Sequence, residues 1–265
     1  NSTDGSLDVL KKWQADNAAD DFHIEVISEL TPGACAARNA GLRMVESDWT
    51  MFFDSDDIML PHYVANVIQL IESKPDTDIV GSSFILSYRD GRKRTVRFIN
   101  RDTTYNNIHH SIFSTLLYCA RTDLFRRAGA WDESLSMGDD VELGSRLLDL
   151  KPKIRTLSGK PAVIVNESEQ SISTGHGRTF ALIQALRKIQ SRLPAGHRHW
   201  IDLQILIQLA AFNRHDPDAR RLAMEIIEAT TSLHRRMLWS FLFRYTASGR
   251  RGAARIYRLL SLLGF

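Results

Sequence analysis

The sequence predicts an α/β protein: a sheet with parallel segments, flanked by helices and followed by a helical appendage. Short β-prone runs alternate with helical segments as far as residue 173, and such alternation is typical of α/β sheets. Beyond residue 180 almost no β signal remains, and amphipathic helical stretches take over. With 265 residues, 43% of them hydrophobic, the chain can bury a substantial core. We therefore predict two parts, residues 1–175 and residues 176–265.

The spacing of apolar residues predicts each element of the first part, because strands repeat every two residues and helices about every 3.6. In chain order, the predicted elements are a helix through 7–13 capped by Ser2 or Asp4, a strand at 22–28, a helix at 34–46, a strand at 49–53, a helix that begins near Pro61, and a strand at 79–88. The turn at 89–92 then predicts a hairpin into 95–99.

The following segments are less regular. Residues 100–110 are polar and lack clear periodicity, so we predict a loop there. After it come, in order, an apolar run at 111–121 that is strand-like or buried, a short helix that Gly129 ends, a helix at 139–150, and strands near 154–157 and 163–165. Helices fill the chain from residue 180 onwards.

Charge is distributed unevenly along the chain. The net charge of +3 is too small to indicate a nucleic-acid partner, and we expect none. From residue 231 to the end, however, seven arginines occur without any Asp or Glu, namely Arg235, Arg236, Arg244, Arg250, Arg251, Arg255 and Arg258. This composition, interleaved with aromatics, predicts peripheral contact with an anionic membrane. The alternative is a helical cap that packs its apolar face on the rest of the protein while its arginines extend into water.

The cysteines and the apolar segments indicate the cellular compartment in which the protein is expected. Cys35 and Cys119 show no metal-ligand spacing, so we expect two small buried residues in a reducing environment. No run of about 18 apolar residues occurs, and the first residues are polar, so neither a membrane-spanning helix nor a signal peptide is expected. We predict a cytoplasmic protein whose membrane association depends on its C-terminal helices.

An acidic cluster follows one of the predicted strands. Asp54, Asp56 and Asp57 come directly after the apolar run at 49–53, and strand ends of this kind form the ligand-binding edge of open α/β sheets. Three carboxylates in four residues repel one another unless a cation lies among them, and their oxygens suit Mg²⁺ or Mn²⁺. A solvated turn with an Asp helix cap is the alternative interpretation.

A second acidic pair opens the helix predicted at 139–150. Asp139 and Asp140 follow Gly138, and the helix dipole favours carboxylates in a first turn. A carboxylate held there stays ionised at neutral pH and could accept a proton from a hydroxyl, although capping alone also explains the pair. Glu142 and Arg146 are spaced as a plain surface ion pair.

Taken in order, five segments resemble landmarks of the family 2 glycosyltransferases, which have the GT-A fold. They are NSTDGS at 1–6, GACAARNAG at 33–41, FDSDD at 53–57 with Pro61 following, GAWDE at 129–133, and GDDVEL at 138–143 with Arg146-Leu147. The similarity covers roughly residues 1–173, and five landmarks in the correct order are far more specific than any one of them.

The resemblance implies an inverting transfer of a sugar from a nucleotide-diphosphate sugar to an acceptor hydroxyl, with Mn²⁺ or Mg²⁺ as cofactor. UDP is the default nucleotide, and the acceptor would be a glycan or a lipid-linked molecule in bacterial-type surface polysaccharide or glycolipid synthesis. The implied roles are the general base for Asp140, metal binding for Asp56, donor binding for Asp54, Arg38 and Asn39, and acceptor-side positions for Trp131, Asp132 and Asp139. A core aromatic is the alternative for Trp131, and tying down the loop at 31–33 is the alternative for Arg38 and Asn39.

Two features depart from the family pattern. The family's opening strand and the acidic pair before its S-T-D-G segment are absent, so we expect that this sequence lacks the family's first strand. Many relatives also carry a histidine before a Ser-x-Ser/Thr like that at 171–173. The aligned position here is Ser168, between Glu167 and Glu169, and His176 lies just downstream.

Two alternatives to a glycosyltransferase remain at this point. One is a non-catalytic sugar-binding or scaffold module on a degenerate GT-A frame. The other is a phosphatase of the haloacid dehalogenase type, in which Asp54 would be the nucleophile and Asp56 the acid/base. That motif favours Thr or Val where this chain has Ile58.

Overall fold

The computed structural model describes residues 2–19, 22–167, 178–213 and 215–262. Its strands are β1 (Trp49–Met51), β2 (Ile58–Met59), β3 (Ile79–Gly81), β4 (Ser83–Ser87), β5 (Lys93–Arg97), β6 (Tyr118–Arg121), β7 (Ile154–Thr156) and β8 (Val163–Asn166). Its helices are α1 (Ser6–Asp16), α2 (Ala34–Met44), α3 (His62–Ser73), α4 (Thr103–His110), α5 (Thr122–Arg127), α6 (Asp139–Asp149), α7 (Arg178–Arg192), α8 (Arg198–Phe212), α9 (Pro217–Glu228), α10 (Leu233–Ala247) and α11 (Ala253–Leu262). Short 3₁₀ turns lie at Thr115–Leu117 and Ala195–His197.

The strands form two four-stranded sheets of mixed direction. One has the order β1-β6-β3-β7 and the other β2-β8-β4-β5. The pairs β3–β7 and β4–β8 are parallel, while the other neighbours are antiparallel. Helices flank these sheets, and the α/β class with parallel segments is confirmed.

The strand predicted at 79–88 is divided between the two sheets. Ser82 separates β3 from β4, and its N–H donates to the Leu117 carbonyl at 2.7 Å. Gly81 is needed at the crossing, because a Cβ there would lie 2.5 Å from the ring of Phe98. The continuous apolar run is therefore one segment that changes sheets.

Two hydrophobic cores hold the molecule together. The first lies around the sheets and includes Tyr63, Phe113, Phe125 and Leu147, each 1% exposed or less. The second is formed mainly by α7–α11, but it also contains Ile108 of α4 and Val141 of α6. The helical part predicted from the sequence therefore packs directly on the first part. The boundary predicted at residues 175 and 176 lies outside the described residues.

The loop predicted at 100–110 is wrong, because α4 occupies most of it. The helix is polar in sequence, yet Tyr105, Asn106 and Asn107 are buried. Hydrogen bonds hold both amide nitrogens: Asn107 Nδ2 donates to the Val141 carbonyl at 2.8 Å, and Asn106 Nδ2 donates to the Arg101 carbonyl at 2.6 Å. Burial between other helices, rather than an apolar stripe, stabilises this helix.

The strand predicted at 22–28 is also wrong. The segment has no ladder partner among the described residues, apart from an isolated bridge between Phe22 and Ala19. The neighbouring α1 forms as predicted, although Gly5 in a left-handed conformation precedes it rather than a side-chain cap. None of its residues is buried, and Leu7 and Leu10 line an open groove of about 630 Å³ with Ile27.

Two expectations about single features can be compared with the structure. Cys35 and Cys119 are both buried and unpaired, as predicted. Among the helices of the described segments, none has the length and hydropathy needed to cross a bilayer.

The packing of α6 generates a stability prediction. A Cβ at Gly144 would lie 2.6 Å from Phe113 side-chain atoms, whereas one at Gly41 of α2 would meet nothing within 4 Å. Gly144→Ala should lower the free energy of unfolding by about 1–3 kcal/mol, because the core must shift to admit the methyl group. Gly41→Ala should raise it by up to about 1 kcal/mol through helix propensity. Urea unfolding measures both, and equal gains at the two positions would contradict this packing.

Candidate active site

Arg38 connects the two acidic motifs. It lies on α2, and its guanidinium donates from Nη2 to Asp54 Oδ1 at 3.2 Å and from Nη1 to Asp139 Oδ2 at 3.0 Å. The Arg38 side chain is only 18% exposed. The acidic cluster that follows β1 and the acidic pair that opens α6 therefore lie on opposite sides of one cation.

The electrostatic surroundings keep Arg38 charged. Burial alone would lower its pKa, but Asp140, Asp54 and Asp139 act in the opposite direction, and the net pKa is raised. A buried cation matched by carboxylates in this way is a stable structural centre, and removing it would leave three carboxylates close together.

Asp140 is held from the opposite side by Thr115. The Thr115 hydroxyl donates to Asp140 Oδ1 at 2.9 Å, and its backbone N–H donates to Oδ2 at 3.2 Å. Burial, followed by the charge of Asp139, raises the pKa of Asp140 to about 6, although Arg38 and Thr115 lower it. A carboxylate with this pKa is ionised at neutral pH and is more basic than an ordinary Asp, which suits general-base chemistry.

Gly138 fixes the entry into α6. Its φ of +75° is a left-handed conformation, and a Cβ there would lie 2.7 Å from Leu182 Cδ1 and 2.9 Å from Ala185 Cβ. Both of these residues belong to α7. The first turn of α6, which carries Asp139 and Asp140, is thus in close contact with the helical part of the molecule.

The acidic cluster after β1 forms a tight turn. The N–H of Asp57 donates to the Asp54 carbonyl at 3.3 Å, and Asp56 is exposed. Burial, with the charges of Asp56 and Asp54 in support, raises the pKa of Asp57 to about 6 against the lowering effect of the Asn166 N–H. The three carboxylates therefore repel one another, and a cation beside them would relieve that repulsion.

The donor set fits a hard divalent cation that is shared with a ligand. Within the described residues, no group of three or more Asp, Glu, His or Cys side chains is arranged to hold a metal alone. Mg²⁺ and Mn²⁺ often take only one or two protein carboxylates and complete their coordination with water and phosphate oxygens. Asp56 and Asp54 can supply those carboxylates. Ser168, Glu169, the segment 171–173 and His176, considered above as further candidates, lie outside the described residues.

Asn39 fixes a loop through both ends of its amide. Its Oδ1 accepts the Trp131 N–H at 2.9 Å, and its Nδ2 donates to the Trp131 carbonyl at 2.9 Å and to Glu133 Oε1 at 2.8 Å. These contacts hold the loop at 131–133 rather than the loop at 31–33. Donor binding by Asn39 stays a prediction.

Trp131 is a core residue. It is 3% exposed, and its ring lies 4.4 Å from the ring of Phe52 and 5.5 Å from that of Phe125. The Arg38 guanidinium lies 5.9 Å from the centre of the indole. The structure favours the core alternative, and a stacking contact between this ring and a sugar is not supported.

Asp132 contacts α7 rather than Arg38 or Asp140. Its Oδ2 accepts from Lys188, and its Oδ1 accepts the Ser134 N–H at 3.0 Å and the Ser134 hydroxyl at 2.6 Å. The hydrogen bond from Lys188, together with those from Ser134, lowers the pKa of Asp132 to about 2. The acceptor-side role predicted for Asp132 therefore stays a prediction, and its contacts are those of a loop anchor.

Glu142 and Arg146 are not a plain surface pair. The side chain of Glu142 is 2% exposed, and its oxygens accept from Arg146 Nη2 at 2.6 Å and from Arg192 Nη2 at 2.9 Å. Arg146 also donates to the Ala128 carbonyl. A buried carboxylate held by two guanidinium groups thus ties α6 to α7, two residues after Asp140.

Thr115, Lys188 and Arg192 are site residues that the sequence did not indicate. Thr115 lies within the apolar run at 111–121, which also contains Ser111 and Ser114, and no spacing signal distinguishes it from them. Lys188 and Arg192 lie on α7, far from Asp132 and Glu142 in the sequence, so only the tertiary fold brings each pair together.

Comparisons with known proteins show which family and which fold this chain resembles. Residues 1–132 match the family model described as Glycosyl transferase family 2. An uncharacterized glycosyltransferase of Haemophilus influenzae is 37% identical over 60 residues, which are 22% of this chain and 20% of that protein. The match thus spans about a fifth of the length of that curated relative.

Solved structures resemble the whole described fold. TarS residues 1–349 of S. aureus in complex with UDP-GlcNAc has 18% identity and a TM-score of 0.59, over 97% of this chain and 80% of that chain. The mannosyltransferase PcManGT of Pyrobaculum calidifontis in complex with GDP-Man and Mn²⁺ has 17% identity and a TM-score of 0.51, over 97% and 75%. The likeness confirms the GT-A fold, and it does not support the dehalogenase-type alternative.

The raised pKa of Asp140 predicts how stability depends on pH. In the unfolded chain an Asp titrates near 3.9, so the folded protein binds more protons than the unfolded one between about pH 4 and pH 6. Stability from this group is therefore lost as the pH rises through that window. Asp140→Asn should raise the free energy of unfolding at pH 7–8 by ~1–3 kcal/mol, and the gain should vanish below about pH 4.

Urea unfolding at several pH values measures this difference. Asp8→Asn, an exposed change on α1, serves as the control and should leave the pH profile as it is. A gain for Asp140→Asn that is equal at pH 4 and pH 8 would contradict the raised pKa.

Proposed function

We propose that this chain, whose residues 1–132 match the model for family 2 glycosyltransferases, moves a sugar from a nucleotide-diphosphate sugar to an acceptor hydroxyl with inversion. The observation that supports this most directly is the position of Arg38 between Asp54 and Asp139. It holds the donor-side carboxylates and the base-bearing helix at one site, as a single displacement requires.

Asp140 is the proposed general base. It accepts the proton of the acceptor hydroxyl as that oxygen attacks the anomeric carbon, while the bond from that carbon to the diphosphate oxygen breaks. Thr115 orients both carboxylate oxygens of Asp140, and Arg38 keeps the carboxylate ionised near neutral pH. The nucleoside diphosphate departs with the bonding electron pair on the side opposite the attack, which gives inversion.

Asp56 and Asp54 are proposed to hold Mn²⁺ or Mg²⁺ together with the donor diphosphate. The bound cation supplies Lewis-acid stabilisation of the departing diphosphate. Asp56 is exposed and therefore accessible to such a cation, while Asp54 is fixed by Arg38. We take a UDP-sugar as the donor, since TarS was captured with UDP-GlcNAc, although PcManGT was captured with GDP-Man.

The proposed acceptor is a glycan or a lipid-linked molecule of surface polysaccharide or glycolipid synthesis. Support comes from α10, where Leu233, Met237 and Phe241 are 64%, 65% and 54% exposed. They are spaced four residues apart and so form one apolar stripe, which we call the α10 stripe. The exposed Arg244 continues the same face, and residues 231–265 contain no acidic side chain. Such a face suits an anionic membrane surface, where a lipid-linked acceptor would lie.

Two substitutions separate the base from the metal ligand. Asp140→Asn should lower kcat by roughly 100- to 10,000-fold, because the acceptor hydroxyl loses its proton acceptor, while donor affinity stays nearly unchanged. Asp56→Asn should remove the Mn²⁺-dependent part of donor binding. Calorimetry with a panel of nucleotide sugars, with and without Mn²⁺, measures affinity, and release of nucleoside diphosphate measures turnover.

Asp8→Asn is the matched control and should leave turnover and affinity at the parental values. Turnover of Asp140→Asn at the parental rate would refute the base assignment. Binding of nucleotide sugar without any turnover in the parent protein would instead favour a non-catalytic sugar-binding or scaffold role.

The α10 stripe generates a separate prediction about membranes. Met237→Gln should weaken binding to vesicles that contain phosphatidylglycerol by roughly fivefold, because an apolar side chain that enters the interface is lost. Met44→Gln, at a methionine of α2 that is 51% exposed, is the matched control and should bind as the parent does. Vesicle sedimentation measures both, and equal effects at the two positions would rule out contact through the stripe.

A further inference from the structure

A cavity of about 440 Å³ opens among the C-terminal helices, away from the residues discussed above. Residues of α7, α8, α9 and α10 line it, and they include Arg187, Arg198, His199, Arg235 and Trp239. We call this space the helical-region cavity. Its size is in the range of small-molecule sites.

Positive charge in this cavity exceeds what its own carboxylates neutralise. Two carboxylates line it: Asp202 pairs with Arg187 at 3.1 Å and accepts from Gln190 at 2.8 Å, and Glu225 pairs with Arg221 at 4.0 Å. In the described part of the chain, neither Arg198 nor Arg235 has a carboxylate within ion-pair distance. Arg198 donates from Nε to the Leu193 carbonyl at 3.1 Å, which leaves its charge unmatched.

Arg235 lies on the buried side of its helix, which is unusual for an arginine. Trp239, Leu242 and Thr246 follow it at spacings of four, three and four residues, and all three are buried. Arg235 therefore belongs to the inward line of α10 and is only partly exposed. The α10 stripe lies on the opposite side of the helix, since residues two apart differ by about 200°.

Trp239 forms part of the inner wall of this cavity. The residue is 2% exposed, and its indole Nε1 has no hydrogen-bond acceptor among the described residues. It lines the same cavity one turn after Arg235. Because that nitrogen has almost no accessible surface, the indole forms an apolar wall beside the guanidinium groups.

We propose that the helical-region cavity is an accessory anion site that binds the phosphate group of a small ligand, distinct from the donor site at Asp54 and Asp56. The guanidinium groups of Arg198 and Arg235, which lack a carboxylate partner, offer more donors than a single carboxylate would use, and they suit a tetrahedral phosphate. His199 beside them is neutral, because burial, with Arg235 in support, lowers its pKa to about 4. The inward position of Arg235 favours a soluble phosphate compound over a lipid headgroup.

The test uses inorganic phosphate as the probe, in EDTA so that no divalent cation assists binding at the donor site. Calorimetry and tryptophan fluorescence should show that the parent protein binds phosphate. Arg235→Gln should weaken this binding roughly tenfold, as expected for the loss of one charge-assisted donor. Arg127→Gln, at an exposed arginine of α5, is the matched control and should bind as the parent does.

Absence of phosphate binding by the parent, or parental affinity in Arg235→Gln, would overturn the proposal. Should Arg235→Gln fail to fold, Arg198→Gln at the exposed rim serves in its place, with the same expected loss. Vesicles of phosphatidylglycerol distinguish the two sources of phosphate. Competition between vesicles and inorganic phosphate would identify a headgroup, and independent binding would identify a soluble ligand. Failure here would leave the proposed transferase reaction untouched, since no step of that reaction uses this cavity.

Discussion

The buried guanidinium of Arg38 is the constraint on which the rest of this site depends. Three carboxylates, on Asp54, Asp139 and Asp140, come close enough to one another that repulsion would separate them without a cation among them. Arg38 supplies that cation permanently, so the two motifs stay together before any ligand or metal arrives. The next residue along α2, Asn39, fixes the loop at 131–133 through both ends of its amide. Two adjacent residues of α2 thus fix the positions of both acidic motifs and of the loop at 131–133.

A second buried charge fixes the orientation of α6, the helix that carries Asp140. Glu142 lies two residues after Asp140 and receives guanidinium groups from both α6 and α7. At the start of the same helix, Gly138 lacks a Cβ and so allows α7 to approach closely. Lys188 of α7 binds Asp132 in the preceding loop. The helical part is therefore more than an appendage on a finished domain, because it completes the walls around Asp140.

The site residues that could be predicted from the sequence are those that their neighbours in the chain make recognisable. Asp54, Asp56 and Asp140 follow a strand end or open a helix, and such positions show in nearby residues. The roles of Asn39, Thr115 and Glu142 depend instead on partners tens of residues away. The helix at α4 was missed for the same reason, since its buried Asn107 donates to the Val141 carbonyl, 34 residues away in the sequence. The period-two pattern at 22–28 indicated a strand, but a strand requires a neighbour, and the described residues provide none there.

The ion triad of Glu142, Arg146 and Arg192 also limits how such proteins can be recombined. A chimera that joins the first part of this chain to the helices of a relative would place an unrelated residue opposite Glu142. Because that carboxylate is 2% exposed, hybrids lacking an arginine equivalent to Arg192 would bury part of its charge unmatched. Exchange between relatives is therefore easiest at a junction beyond α7, because Glu142 and Arg192 then come from the same parent protein.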